Sequence, residues 1–263
     1  MVPLPAMLAR DPSRPHHSAS EAALVDRLLG SMPTVQAALG HGDNALVVMR
    51  EFQVGIVVPD IVLVRLPTSG PLLQLRRPLS HFHCCVWSAL LRRTPLRAET
   101  LARRLFTGVD RIHLALRDLR RADIVAGSED ENASSLDRLL PNEAEVVALE
   151  AKLARWRLAL RQAQGYLAFS NRVAVALPRN RFDGKKEVLA ACRKQGVGLF
   201  LEGESTTALL HVPGRRRIMT PEWLWVLSKA AVLVRRGEAT LLPPGTFQKL
   251  SSKRPGGLTP FED

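Results

Sequence analysis

Apolar positions along the chain change their spacing several times, and each change predicts a different element. In SEAALVDRLL, residues 20–29, a capping serine precedes Ala22, Ala23, Val25, Leu28 and Leu29 at helical spacing, with Glu21 and Asp26 off the apolar set. This predicts a first amphipathic helix. Three short runs follow, NALVVMREF, VGIVVPDIV and the weaker PLLQLRR, rich in Val, Ile and Leu and too short for helices. They predict strands of a central sheet. From Ser80 to Val125 the spacing is helical again, in SHFHCCVWSALLRRT, RAETLARRLF and GVDRIHLALRDLRRADIV. Strand character returns in EVVALEAKL. A helix WRLALRQAQGYLAF, a strand VAVALP, a helix GKKEVLAACRKQ and paired strands VGLFLEG and TALLHVP come next, and a last helix is predicted from about Pro221 to Arg235.

Strands alternating with helices imply an α/β sheet covered on both faces. Residues 19–78 and 131–243 form the two parts of that core, and 79–130 an inserted helical segment. Residues 1–18, with four prolines and no periodicity, and 244–263, rich in Pro, Gly, Ser and Lys, read as disordered tails. There is no internal repeat.

Composition narrows the partners. The chain of 263 residues is 46% hydrophobic, enough to fill a core, and carries a formal charge of +12 with a pI near 10.7. Such a surface attracts polyanions, nucleic acid first and anionic membrane second. No apolar run reaches the ~18 residues that span a bilayer, and Pro3, Pro5 and Asp11 interrupt any signal-peptide core, so a cytoplasmic protein without membrane partners is expected. Three cysteines make no disulfide framework. The cluster His81, His83, Cys84 and Cys85 lacks a second ligand pair with zinc spacing and reads as core filling, as do Trp87 and Trp156.

Much of the excess charge lies in the helical segment, where residues 79–128 hold nine arginines against four acidic residues. Its helices, joined tightly at Thr107-Gly108 and followed by the acidic GSEDENASS as wing or linker, resemble a winged helix-turn-helix. The resemblance makes the helix from Val109 to Ala122 the DNA reader. Ile112, Leu116 and Leu119 would face inward, leaving Arg111 and His113 for base edges, Arg120 and Arg121 for phosphates, and Arg117 on the exposed side. Arg103 and Arg104 on the preceding helix add to this DNA-binding set, as do Arg155 and Arg161 beyond the segment.

The sheet part carries Glu21 on the first helix, Pro59-Asp60 in the second strand, Glu150-Ala151-Lys152 at the end of the strand after the insert, and Gln162 with Tyr166 on the next helix. In this order they resemble the PD-(D/E)XK nucleases, in the branch of the RecB nuclease domain and archaeal Holliday-junction resolvases. The likeness covers roughly residues 18–66 and 143–235. It implies a restriction-endonuclease-like mixed sheet flanked by helices and a metal-dependent DNA endonuclease acting in repair, recombination or defence against foreign DNA. Asp60 and Glu150 would hold Mg²⁺ or Mn²⁺, with Glu21 supporting the metal. Side chains alternate along a strand, so Lys152 shares the face of Glu150 while Ala151 points away, and Lys152 can orient or deprotonate the attacking water. Gln162 and Tyr166, four apart on a helix, would fix phosphate or water. One departure stands out: nearly ninety positions separate Asp60 from Glu150, so the helical segment must be looped out between their strands. The alternative is a non-catalytic DNA-binding transcriptional regulator on a nuclease-like scaffold. A homodimer suits double-strand cutting, and a helicase or ATPase partner is compatible with a chain that has no phosphate-binding loop of its own.

Overall fold

A computed structural model describes residues 19–40, 46–91, 95–127, 132–135, 140–203 and 207–242. The two tails, Arg92 and Arg93, and most of the acidic stretch after Gly127 lie outside these residues. In chain order the elements are α1 (Ala19–Gly30), α2 (Met32–Ala38), β1 (Leu46–Arg50), β2 (Ile61–Arg65), α3 (His81–Leu90), α4 (Ala98–Arg104), α5 (Val109–Arg121), β3 (Val125–Ala126) and β4 (Ser134–Ser135). They continue as α6 (Leu140–Glu143), β5 (Glu145–Ala151), α7 (Trp156–Gly165), β6 (Arg172–Pro178), α8 (Arg179–Phe182), α9 (Lys186–Gln195), β7 (Gly198–Glu202), β8 (Thr207–His211), α10 (Pro221–Arg235) and β9 (Thr240–Leu242). No helix among the described residues is long and apolar enough to cross a membrane.

The fold is α/β, a mixed seven-stranded sheet in the order β8-β7-β6-β5-β2-β1-β9 with helices on both faces. β5, β6 and β7 are parallel, joined through α7 and through α8 and α9, whereas β1–β2, β2–β5, β7–β8 and β1–β9 are antiparallel. The period of two divides the apolar side chains between two cores. Val62, Val64, Val146, Ala148, Val173 and Val175 face α7, α9 and α10; Ile61, Leu63, Val147, Leu149, Ala174 and Ala176 face Leu24, Leu28, Met32 and Val35 of α1 and α2. Strands apolar on both sides are what a sheet buried on both faces requires.

Between β2 and β5 the chain leaves the sheet. α3, α4 and α5 pack on one another through Trp87, Leu90, Leu101, Ile112, Leu116 and Leu119, and β3 pairs with β4 while Leu96 bridges to Ala133. Trp87 Nε1 donates to Ser135 Oγ at 3.1 Å, which fastens β4 to α3. This unit is not sealed off. α3 lies along α10, and the apolar contacts run without a break from the sheet through Trp223, Leu224 and Leu227 to Trp87.

Several elements depart from the expected boundaries for identifiable reasons. VGIVVPDIV is not one strand: Val54 and Val57 pair with each other across a tight turn, Pro59 has no N–H for a ladder, and β2 starts only at Ile61. PLLQLRR forms a 3₁₀ turn at Pro71–Gln74 instead of a strand, since a proline tolerates the first helical position but cannot donate within a sheet. Ser20 falls inside α1 instead of capping it, and the predicted single helix through Phe169 breaks at Gly165 into a 3₁₀ turn over Tyr166–Ala168. α10 spans the predicted residues, its Thr220 hydroxyl capping the Trp223 N–H at 3.3 Å and Pro221 opening it.

Gly198 opens β7 where β6 and the chain after β8 close in. A Cβ there would stand 2.7 Å from Pro213 Cδ and 2.9 Å from Ala174 Cβ, neither on a flexible arm. Gly198→Ala should therefore lower stability by about 1–3 kcal/mol. A urea titration would show this as a lower midpoint at unchanged slope, and a midpoint equal to wild type would mean the Pro213 segment yields freely.

Candidate active site

The antiparallel register of β2 and β5 sets Ile61 opposite Leu149, and so brings the residue before β2, Asp60, beside Glu150 near the end of β5. Both carboxylates are buried, with 6% of Asp60 and 2% of Glu150 exposed. Asp60 Oδ2 accepts the Ala151 N–H at 2.7 Å. Glu150 is held at both oxygens: Lys152 Nζ lies 2.9 Å from Oε1, and the Tyr166 hydroxyl donates to Oε2 at 2.5 Å. Beyond the strand end, the Lys152 N–H still bonds Ala176 O at 3.1 Å, while its ammonium also reaches Glu21 Oε2 at 3.6 Å. Residues from α1, the start of β2, the end of β5 and the turn after α7 thus meet in one corner.

Electrostatics in this corner are unbalanced. Burial disfavours the Glu150 carboxylate and neighbouring Asp60 repels it; the Lys152 charge and the hydrogen bonds from Tyr166 and Lys152 only partly compensate, leaving its pKa at about 7. For Lys152, burial alone would favour the neutral amine. Glu150, Asp60 and Glu21 outweigh that, so its pKa is raised and it stays an ammonium. Glu145, at the opposite end of β5, is the contrasting case. It is as buried as Glu150, yet Arg172 Nε at 2.7 Å, Arg215 Nε at 3.4 Å and Arg65 Nη2 at 3.6 Å surround it. A carboxylate ringed by guanidiniums is a structural tie; one set against a second carboxylate is short of positive charge.

Not every expected residue enters the centre equally. Glu21 meets it through Lys152, and no three His, Cys, Asp or Glu side chains among the described residues cluster as a metal-ligand group. Gln162, one turn before Tyr166, is half-buried with Oε1 enclosed and lacking a hydrogen-bond partner. The arginines lie elsewhere. Arg155 and Arg161 are exposed at and along α7; Arg103, Arg104, Arg117 and Arg121 are exposed on α4 and α5, while His113 and Arg120 are half-buried. Arg111 stacks on the Phe82 ring at 4.1 Å, which draws it toward α3. Ring nitrogens of the His/Cys cluster are engaged in contacts: His83 with Ser80 Oγ and with Asp118 at 3.3 Å, His81 with Glu222 at 3.1 Å.

Two features escaped the sequence. A groove of about 820 Å³ lies where α5, the end of α10 and the segment after β2 meet, and Arg76, Arg77 and Arg235 line it with Arg121. The Arg76-Arg77 pair is plain in the sequence, but the strand expected for PLLQLRR does not place it at this groove. The second is the paired turn at Val54–Val57, signalled by Gly55 between Val54 and Ile56. Comparison with known proteins gives no match to any family model, curated protein or solved structure.

Because the folded state holds the Glu150 proton more tightly than the unfolded chain, the stability this group contributes is fully present below about pH 4.5 and is lost as pH rises through about 7. In metal-free buffer, wild type should lose stability relative to Glu150→Gln across that interval. Parallel stability curves for the two proteins would show that the carboxyl is not perturbed.

Proposed function

We propose that the chain is a metal-dependent deoxyribonuclease of PD-(D/E)XK type in which Asp60, Glu150 and Lys152 form the hydrolytic centre. The observation that carries this reading is that two buried carboxylates, ninety positions apart in sequence, adjoin at neighbouring strand ends with a lysine bonded to one of them. The donor set fits a hard divalent cation. Its ligands would be Asp60, whose Oδ2 accepts the Ala151 N–H, and Glu150, whose pKa is raised by burial and by the neighbouring Asp60. When bound, Mg²⁺ or Mn²⁺ supplies stabilisation of the charge that develops on a phosphate and lowers the pKa of water.

The side chains take the remaining tasks. Tyr166, on the turn after α7, fixes the Glu150 carboxylate, so the carboxylate is oriented before substrate arrives. Lys152, held as an ammonium between Glu150 and Glu21, donates to a phosphate oxygen or to the attacking water and places it. Gln162, one turn before Tyr166, is proposed to support the centre from α7, with its Oε1 turned into the protein. Glu21 acts by positioning Lys152.

The helical unit is proposed as a winged helix-turn-helix that holds the DNA. In its support, α3, the Leu96 bridge, α4, α5 and the β3–β4 pair follow one another in the order of that motif. With Arg111 engaged by Phe82, the outward face of α5 is led by Arg117 and Arg121. These are the stronger candidates for phosphate contact.

Two measurements test the reading. Supercoiled and branched DNA incubated with the protein should be cut with Mg²⁺ or Mn²⁺ and not with chelator. Asp60→Asn and Glu150→Gln should each lower the rate at least about 100-fold while DNA affinity changes little; variants that cut like wild type would remove the assignment. For the grip, Arg117→Ala and Arg121→Ala should each weaken binding to all sequences and lower the salt slope by about one. An unchanged slope in both would assign the α5 face to something other than DNA.

A further inference from the structure

The connection between β1 and β2 is a short rigid finger rather than an open loop. Val54 and Val57 exchange backbone hydrogen bonds of 2.9 and 3.1 Å, Gly55 takes the positive φ of +61° that the first central position requires, and Gln53 Nε2 bonds Gly55 O at 3.0 Å. Its root is fixed as well. The Glu51 N–H bonds Asp60 O at 3.0 Å, Phe52 packs on Trp225 with ring centroids 5.5 Å apart, and Val57 lies against Gly165. The Tyr166 hydroxyl that donates to Glu150 is also 3.4 Å from Val58 O. The finger is therefore mounted on the candidate centre itself.

At its tip stands Ile56, 100% exposed. The turn needs glycine before it but nothing apolar at this position, where serine or asparagine would serve and be solvated. An isoleucine there gains nothing from its own chain. It has few rotamers to lose on insertion, because its β-branch stiffens χ1, and it sits four residues from Asp60. It stands on the connection that leads directly into the candidate centre.

Resting on the nuclease reading, we propose that Ile56 is a wedge that enters duplex DNA between base pairs beside the cleaved bond and unstacks them. The base stack is the apolar part of DNA, and apolar side chains on rigid protrusions are suited to open it and kink the duplex. The distortion would bring the scissile phosphate down to the buried carboxylates.

The test uses the full chain, a duplex it cleaves and an aminopurine reporter placed in turn at each step around the cut. In chelator, wild type should raise reporter fluorescence at one step next to the cleaved bond. Ile56→Ser, at a fully exposed site and so equal in melting temperature, should abolish that rise and lower the cleavage rate at least about tenfold; Ile56→Leu should restore both. Wild type that cuts DNA without a fluorescence rise, or Ile56→Ser with the same rise and rate, overturns the wedge and leaves the nuclease reading standing. Wild type that cuts no DNA with either metal removes both.

Discussion

Burial of two adjoining carboxylates in one corner, with too little positive charge to balance them, is the constraint on which the candidate site depends. Asp60 and Glu150 adjoin inside the protein with a single lysine within bonding distance of Glu150, and each surrounding contact acts on that imbalance. Tyr166 and the Ala151 N–H supply hydrogen bonds, Glu21 adds a further negative charge around Lys152, and the sheet supplies burial. Isolated buried carboxylates are expensive, so a fold that places two of them together must offset the cost through the rest of its core. The two apolar layers on either side of the sheet provide that offset.

Legibility in the sequence followed the strength of the periodic signal. β5, β6, β7, α5 and α10 have apolar positions at one clear period, and their predicted extents differ from the observed ones by a few residues at most. The Asp60–Glu150 pairing could be anticipated only through the order of motifs, because no local spacing relates positions so far apart. What remained hidden depended on contacts with partners distant in sequence. The two prolines flanking LLQLRR and the Val54–Val57 pairing decided against strands that composition alone favoured, and β9 is a three-residue edge strand too short to carry a pattern. Arg111 lies on the exposed side, as a helical wheel places it, and also stacks on an aromatic ring from α3. Helical periodicity identifies the inward face but not which outward residues find a neighbour.

β5 condenses the physical argument into seven residues. Its two glutamates are about equally buried and belong to the same strand, and only Glu150 has a lysine two positions on. Three guanidiniums gathered from β2, β6 and the chain after β8 neutralise Glu145, whereas Glu150 faces Asp60. The difference between a neutralised carboxylate and a perturbed one is thus made by tertiary neighbours.

The unbroken apolar contact from sheet to α10 to α3 has a bearing on how the chain can be taken apart. A segment that enters and leaves through adjacent strands looks like a detachable cassette, yet excising residues 81–135 would strip the cover from one side of α10 and leave its apolar stripe in water. The shared contact couples the sheet and the helical unit, so heat or denaturant should melt them in a single cooperative step.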